Sequence, residues 1–386
     1  MAHDFDREID RRSSDSIKWT RYPPDVLPLW VADMDFASPD AVIQALRERV
    51  DHGVFGYGRA PEELAEVFAQ RLTELYRWTV SPRHILLLPG VVPAIHMACR
   101  AFTLPGEAVL VQTPVYPPIR SLPAHCERPC REVSLVRDQD GRFYVDWDVF
   151  ERALADRARL FVLCNPQNPT GRVFSRSELE RFATACRRGG AVILSDEIHC
   201  DIVFQGHEHV PIASLAPEVA DRTVTLMSPS KTFNLSGLQC AFAVIQNDEL
   251  RRRFVASWQG LVPHLNALGA LAALAAYRHG QAWLGELRAY LQANRDALCG
   301  AVRERLPGVK LSAPEGTYLA WLDCRDTAAA HEPYRFFLER ARVALGEGGA
   351  FGADATGFVR LNFGCTRATL EAALDRLSNA LAAAHR

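Results

Sequence analysis

Six short apolar runs, Ile85–Leu88, Ala108–Gln112, Leu160–Cys164, Ala191–Ser195, Thr223–Met227 and Ala241–Ile245, recur through the middle of the chain. Helical stretches such as Ser177–Arg188 lie between most of them. Runs this short and this continuously apolar fit strands buried on both faces, and the intervening helices supply the covering layers. The expected fold class is therefore α/β, with a mostly parallel sheet flanked by helices. Sheets of this type bind ligands beyond the carboxyl ends of their strands, so chemistry should collect just after each run.

The residues at those positions are specific. After Ile85–Leu88, Gly90 and Val91 open a helix whose backbone N–H groups form an anion site. After Ala108–Gln112, Tyr116 offers a ring that can stack on a planar ligand. Leu160–Cys164 leads into N-P-Q-N-P-T-G at 165–171, far more prescribed than a generic turn. Ala191–Ser195 leads into Asp196-Glu197-Ile198-His199, and a carboxylate at the mouth of a buried strand should have a cationic partner. Thr223–Met227 leads into Ser228-Pro229-Ser230-Lys231. Of 44 basic residues only Lys18, Lys231 and Lys310 are lysines. An amine can shed its proton and attack a carbonyl where a guanidinium stays charged, so Lys231 is the candidate nucleophile, with Ser228 and Ser230 able to hold a phosphate.

The flanks are plainer. Ser38-Pro39 signals a helix start with Ser38 as N-cap, Ala41, Val42, Ala45, Leu46 and Val50 as its apolar stripe, and Gly53 as its end. A second helix runs from about Pro61 to Trp78 through Leu64, Val67, Phe68, Leu72 and Leu75. Residues 138–141 read as a hairpin turn, and His207 and His209 as part of a solvated loop. Long helices fill about 248–306. After Pro307 come a strand at Tyr318–Leu322, a helix near Pro333–Val343, a strand at Phe358–Phe363 and a closing helix at Arg367–His385. A chain of 386 residues exceeds what one core organises, which agrees with a second, smaller domain.

A net charge of −2 without a basic block argues against nucleic acid and anionic membrane surfaces as partners. No apolar run approaches the roughly 18 residues of a membrane span and the start is acidic and polar, so a cytoplasmic protein is expected. Several of the ten cysteines, among them Cys164, Cys240 and Cys365, sit in apolar runs as reduced core residues. Cys126 and Cys130 lack a second ligand pair, so no metal site is expected.

Taken together, N-P-Q-N-P-T-G, S-D-E-I-H, S-P-S-K-T-F-N and G-F-V-R-L-N resemble, in order and spacing, the pyridoxal-phosphate enzymes of the aspartate aminotransferase fold (fold type I). L-P-L-W-V-A-D-M-D-F-A, H-G-V-F-G-Y and T-Y-L-A-W-L-D resemble its MalY/PatB-type cystathionine β-lyase, or cysteine-S-conjugate β-lyase, branch. The resemblance implies a pyridoxal 5'-phosphate cofactor held as a Schiff base by Lys231, with Asp196 on the ring nitrogen. Asn168 and His199 would address the ring hydroxyl and Tyr116 the ring face. Gly90, Val91, Ser228 and Ser230 would hold the phosphate, and Arg360 the substrate carboxylate beside Asn168. Tyr57 would reach phosphate and substrate from a neighbouring subunit, which implies a homodimer. A large domain at 47–284 and a small domain from both chain ends, 1–46 and 285–386, are expected. Gln239 stands where the aminotransferases place a phosphate-binding arginine, and Val91 and Val92 replace small hydroxyl residues. The implied activity is carbon–sulfur β-elimination on an amino acid. An aminotransferase shares every step through the carbanion, and a regulatory protein partner is a further role without any residue speaking for it. Ser228-x-x-Lys231 also satisfies the S-x-x-K of penicillin-binding proteins, but the chain has no K-T-G.

Overall fold

The computed structural model describes residues 3–138, 141–258 and 260–384. Its main sheet has seven strands: β1 (Ile85–Leu88), β2 (Ala108–Thr113), β3 (Cys130–Ser134), β4 (Ala158–Cys164), β5 (Val192–Asp196), β6 (Thr223–Met227) and β7 (Ala241–Val244). They lie in the order β1-β7-β6-β5-β4-β2-β3. Only β7 runs antiparallel to its neighbours. The six runs read from sequence are all strands, and β3 is the addition. It is an edge strand whose single buried residue is Val133, so it lacks the apolar run that marks the others.

Helices cover the sheet as expected. Arg176–Gly189 starts with a Ser175–Glu178 capping box and ends on Gly190 at φ 70°, a left-handed position that suits glycine. Ser38 is not a cap: Pro39 holds that position on helix Asp40–Asp51, and the Ser38 hydroxyl donates to the Asn234 carbonyl instead. Val50 and Leu75, expected in apolar stripes, are exposed. Val136–Arg137 and Phe143–Tyr144 pair as a hairpin, while the centre of its expected turn, 139–140, and His385 of the closing helix lie outside the described residues.

A second sheet follows helix Gln281–Arg305. It consists of β8 (Lys310–Leu311), β9 (Leu319–Asp323), β10 (Gly346–Glu347) and β11 (Phe358–Asn362), antiparallel in the order β8-β9-β11-β10. The N-terminal segment joins this part of the chain, since Leu27–Pro28 pairs in parallel with Val343–Ala344.

Residues 30–36 then cross over without regular structure, and their carbonyls are taken up by side chains. Arg360 donates to Trp30 (2.7 Å), Asn362 to Val31 and Asp33 (2.6 Å each), Tyr318 to Ala32 (3.0 Å), and Asn234 to Met34 and Phe36 (2.9 Å each). Beneath this strap Lys18, 1% exposed, pairs with Asp35 at 2.7 Å, while Arg11 bonds Asp33 and Asp35 and Trp19 Nε1 donates to Asp35. Lys18 is thus consumed by structure, and Lys310 is an exposed partner of Asp326. Lys18→Met should leave Asp35 short of a buried cation and lower stability by about 3–5 kcal/mol. A urea midpoint equal to that of the wild type would show the network to be dispensable.

Candidate active site

A cavity of about 460 Å³ opens at the carboxyl ends of the strands. Gly90, Val91, Tyr116, Asn168, Asp196, His199, Ser228, Ser230, Lys231 and Arg360 all line it. The segments carrying them start where β1, β2, β4, β5 and β6 stop, and the register aligns two of those stops, Cys164 opposite Asp196. Arg360 arrives from β11 of the second sheet. Tyr57 is absent from this wall and fully exposed in its own chain.

Lys231 follows Ser228, which caps a one-turn helix, Pro229–Thr232, by accepting from the Ser230 N–H at 3.0 Å. Its Nζ donates to the Ala32 carbonyl at 2.6 Å. Burial pushes the amine down to about 8; Asp33 and Asp196 oppose the shift and Arg360 adds to it. The Ser228 hydroxyl donates to the Cys240 carbonyl at 2.6 Å rather than facing Lys231, which removes the S-x-x-K reading.

Asp196 departs from expectation. Among the described residues no lysine or arginine forms an ion pair with it; its carboxylate accepts only the Ile198 N–H, at 3.2 Å. Burial raises it to about 6, Ile198 lowers it, Glu197 raises it and Lys231 lowers it. His199 and Tyr318 pack edge-to-face, 5.7 Å between centroids, and the His199 Nδ1 has no partner among the described residues. Burial, with Lys231 and Arg360 nearby, holds this imidazole well below its ordinary range, hence neutral at pH 7. Tyr116 is shifted up by burial and by Asp196. Arg360 donates to Asn168 Oδ1 at 3.0 Å and to the Trp30 carbonyl, lies over the Phe351 ring at 4.9 Å, and has a buried Nε without a partner among the described residues. Burial lowers it to about 10, so it stays charged at neutral pH.

Two further findings went unread in the sequence. The strap supplies the wall at Val31 and the Ala32 carbonyl, a backbone role no side-chain pattern encodes. His209 is buried, not solvated, with Nε2 at 2.8 Å from Glu197.

The family model for class I and II aminotransferases matches residues 24–377. The chain belongs to this family. It is 39% identical to cystathionine β-lyase PatB of Bacillus subtilis (strain 168), over 98% of this chain and 99% of that one. It is 32% identical to protein MalY of Escherichia coli (strain K12), with the same coverage. The crystal structure of a pyridoxal-phosphate-bound C–S lyase from Staphylococcus hominis superposes with a TM-score of 0.92 at 30% identity, covering 98% of this chain and 99% of that one.

The residues present fit that cofactor. Asp196 is a buried carboxylate short of a cation, as a protonated ring nitrogen requires. The unpartnered His199 Nδ1 and the Asn168 amide can meet the ring hydroxyl. Gly90 starts the twelve-residue helix Val91–Phe102, whose free N–H groups suit a phosphate. Gln239, in the left-handed region at φ 53°, brings no charge to that end, and the Ser228 hydroxyl already donates to the Cys240 carbonyl, so helix N–H groups and the Ser230 hydroxyl are what remain there to meet a phosphate.

A Schiff base forms from a neutral amine. The initial rate at which protein stripped of cofactor takes up pyridoxal phosphate should therefore rise with pH around a midpoint near 8. Stopped-flow absorbance measures it, and a midpoint near the ordinary lysine value would contradict the environment described for Lys231.

Proposed function

We propose that this protein is a pyridoxal-phosphate-dependent carbon–sulfur β-lyase that converts cystathionine or other S-substituted cysteines to pyruvate, ammonia and a thiol. The observation that carries the reading is Arg360, a buried guanidinium with a free Nε and no carboxylate partner among the described residues, in one cavity with Lys231. Such a group gains most from a ligand that brings an anion, and an amino acid's α-carboxylate fits a bidentate fork. Likeness to PatB and to the Staphylococcus C–S lyase supports the sulfur chemistry.

Bound pyridoxal phosphate supplies an electron sink for a carbanion at the substrate Cα. Arg360, steadied by Asn168, the Trp30 carbonyl and Phe351, fixes the substrate carboxylate and so the rotation about Cα. Lys231 Nζ, with its lowered pKa, takes the α-proton. The Cβ–S bond then breaks with its electrons leaving on sulfur, which is protonated to the thiol, and water hydrolyses the enamine to pyruvate and ammonia. Elimination needs orientation more than a further acid, and the apolar walls Val31, Val91, Val92, Ile95, Ile198 and Pro263 keep bulk water back. Asp196, a cavity-lining carboxylate short of a cation, would hold the ring nitrogen in its protonated form.

The same reading makes the working unit a cytoplasmic homodimer in which Tyr57 serves the neighbouring subunit's site. Its support is the exposed apolar segment Val54, Phe55 and Tyr57, which a second copy would cover, and cysteines that are all unpaired among the described residues. Domains at 47–284 and at 1–46 with 285–386 belong to this proposal, with helices Asp40–Asp51 and Gln281–Arg305 running across the two boundaries.

Cystathionine without keto acid should yield pyruvate, ammonia and thiol in equal amounts over many turnovers. A stall after one turnover that a keto acid relieves would instead establish an aminotransferase. Arg360→Ala should lose about 2–5 kcal/mol in kcat/KM. Asp196→Ala should bind cofactor but turn over poorly, and wild-type turnover would assign the wrong carboxylate to the ring nitrogen.

A further inference from the structure

We infer that Asp201 is a positioning residue for Lys231, acting through the Thr232 hydroxyl. This rests on the reading of Lys231 as the cofactor-bearing, proton-moving amine. Helix Pro229–Thr232 has four residues, too few to be stable by itself, so tertiary bonds must fix its direction. Its first end is held by Ser228, which bonds the Ser230 N–H and the Cys240 carbonyl. Its last end is held by Thr232, fully buried, whose Oγ1 donates to Asp201 Oδ2 at 2.8 Å.

Asp201 is itself locked. Arg71 lies at 2.9 Å and the Tyr76 hydroxyl donates to it at 2.6 Å. Arg71 in turn bonds Gln281 and lies near the rings of Phe233 and Tyr277, at 5.7 and 5.1 Å. Asp201 stands two residues beyond His199 in the segment that leaves β5 after Asp196. One buried carboxylate therefore ties the turn bearing Lys231 to the turn bearing Asp196 and His199. None of Asp201, Thr232, Arg71 and Tyr76 lines the cavity, so the effect on chemistry is indirect.

The test uses holoenzyme of the wild type, Thr232→Val, Thr232→Ser and Tyr76→Phe. Thr232→Val keeps the side-chain shape and deletes the donor. It should lower kcat about ten- to a hundred-fold with KM nearly unchanged, since a small misplacement of a reacting group costs that much. The pH midpoint of its near-visible absorption, a report on the Lys231 nitrogen, should move. Thr232→Ser should restore both, and Tyr76→Phe, which loosens Asp201 from the far side, should shift both in the same direction by less. If Thr232→Val does not fold, Tyr76→Phe and Thr232→Ser decide. Wild-type kcat and an unmoved midpoint in Thr232→Val, or in Tyr76→Phe where that variant decides, would overturn the inference, as would a Thr232→Ser protein as impaired as Thr232→Val. Failure of the underlying reading looks different: wild-type protein would show no near-visible band, or Lys231→Ala would retain it.

Discussion

Three charged side chains, Asp196, Lys231 and Arg360, share one cavity without an ion-pair partner from the protein among the described residues. Leaving charges so is costly, and the pKa shifts record the cost: the acid is raised and both bases are lowered, with burial the leading cause each time. The rest of the fold exists to hold them there. Parallel strands β4 and β5 bring their ends level, β6 delivers the lysine turn, and the second sheet presses Arg360 in from the other side. A cationic ring nitrogen, an electrophilic carbon and a substrate carboxylate would between them suit all three groups, so binding would recover free energy that folding left unclaimed.

The strap at residues 30–36 gives that arrangement its rigidity. It offers carbonyls to side chains from both sheets' neighbourhoods: Arg360, Asn362 and Tyr318 on one side, Lys231 and Asn234 on the other. Lys231 and Tyr318 both donate to the same Ala32 oxygen. The N-terminal segment is thereby a spacer between Lys231 and Arg360, and the Lys18–Asp35–Arg11 cluster beneath it is its foundation.

How much of this could be read from residues follows from where the information lies. Buried parallel strands announce themselves because both faces must be apolar, and the polar residues just beyond them, Asp196 and Lys231 above all, stand out against that background. β3 did not, because an edge strand needs one buried side chain where a central strand needs several. The strap did not, because it works through carbonyls, which every residue has. Ser38 misled because a capping residue and a residue that bonds a distant carbonyl look alike in sequence. His209 misled because a polar loop is solvated only if nothing buried needs it, and Glu197 does.

That last pair explains which of two adjacent carboxylates is left short of a partner. Successive strand residues point to opposite faces, so Ser195 and Glu197 fall on one side of the end of β5 and Asp196 on the other. On the far side Glu197 is saturated: the Ser195 hydroxyl and the Ile212 N–H donate to Oε1 at 2.8 and 3.2 Å, and His209 meets Oε2. On the cavity side Asp196 has a single backbone donor. A saturated carboxylate gains little from a further cation, whereas a starved one gains much, so a cation entering the cavity would gain more at Asp196 than at Glu197. Glu197, next to it and itself a cause of the raised Asp196 pKa, increases that hunger without competing for the partner. The motif's two acids thus differ in kind, with the strand's twofold alternation deciding which is saturated and which faces the cavity short of a cation.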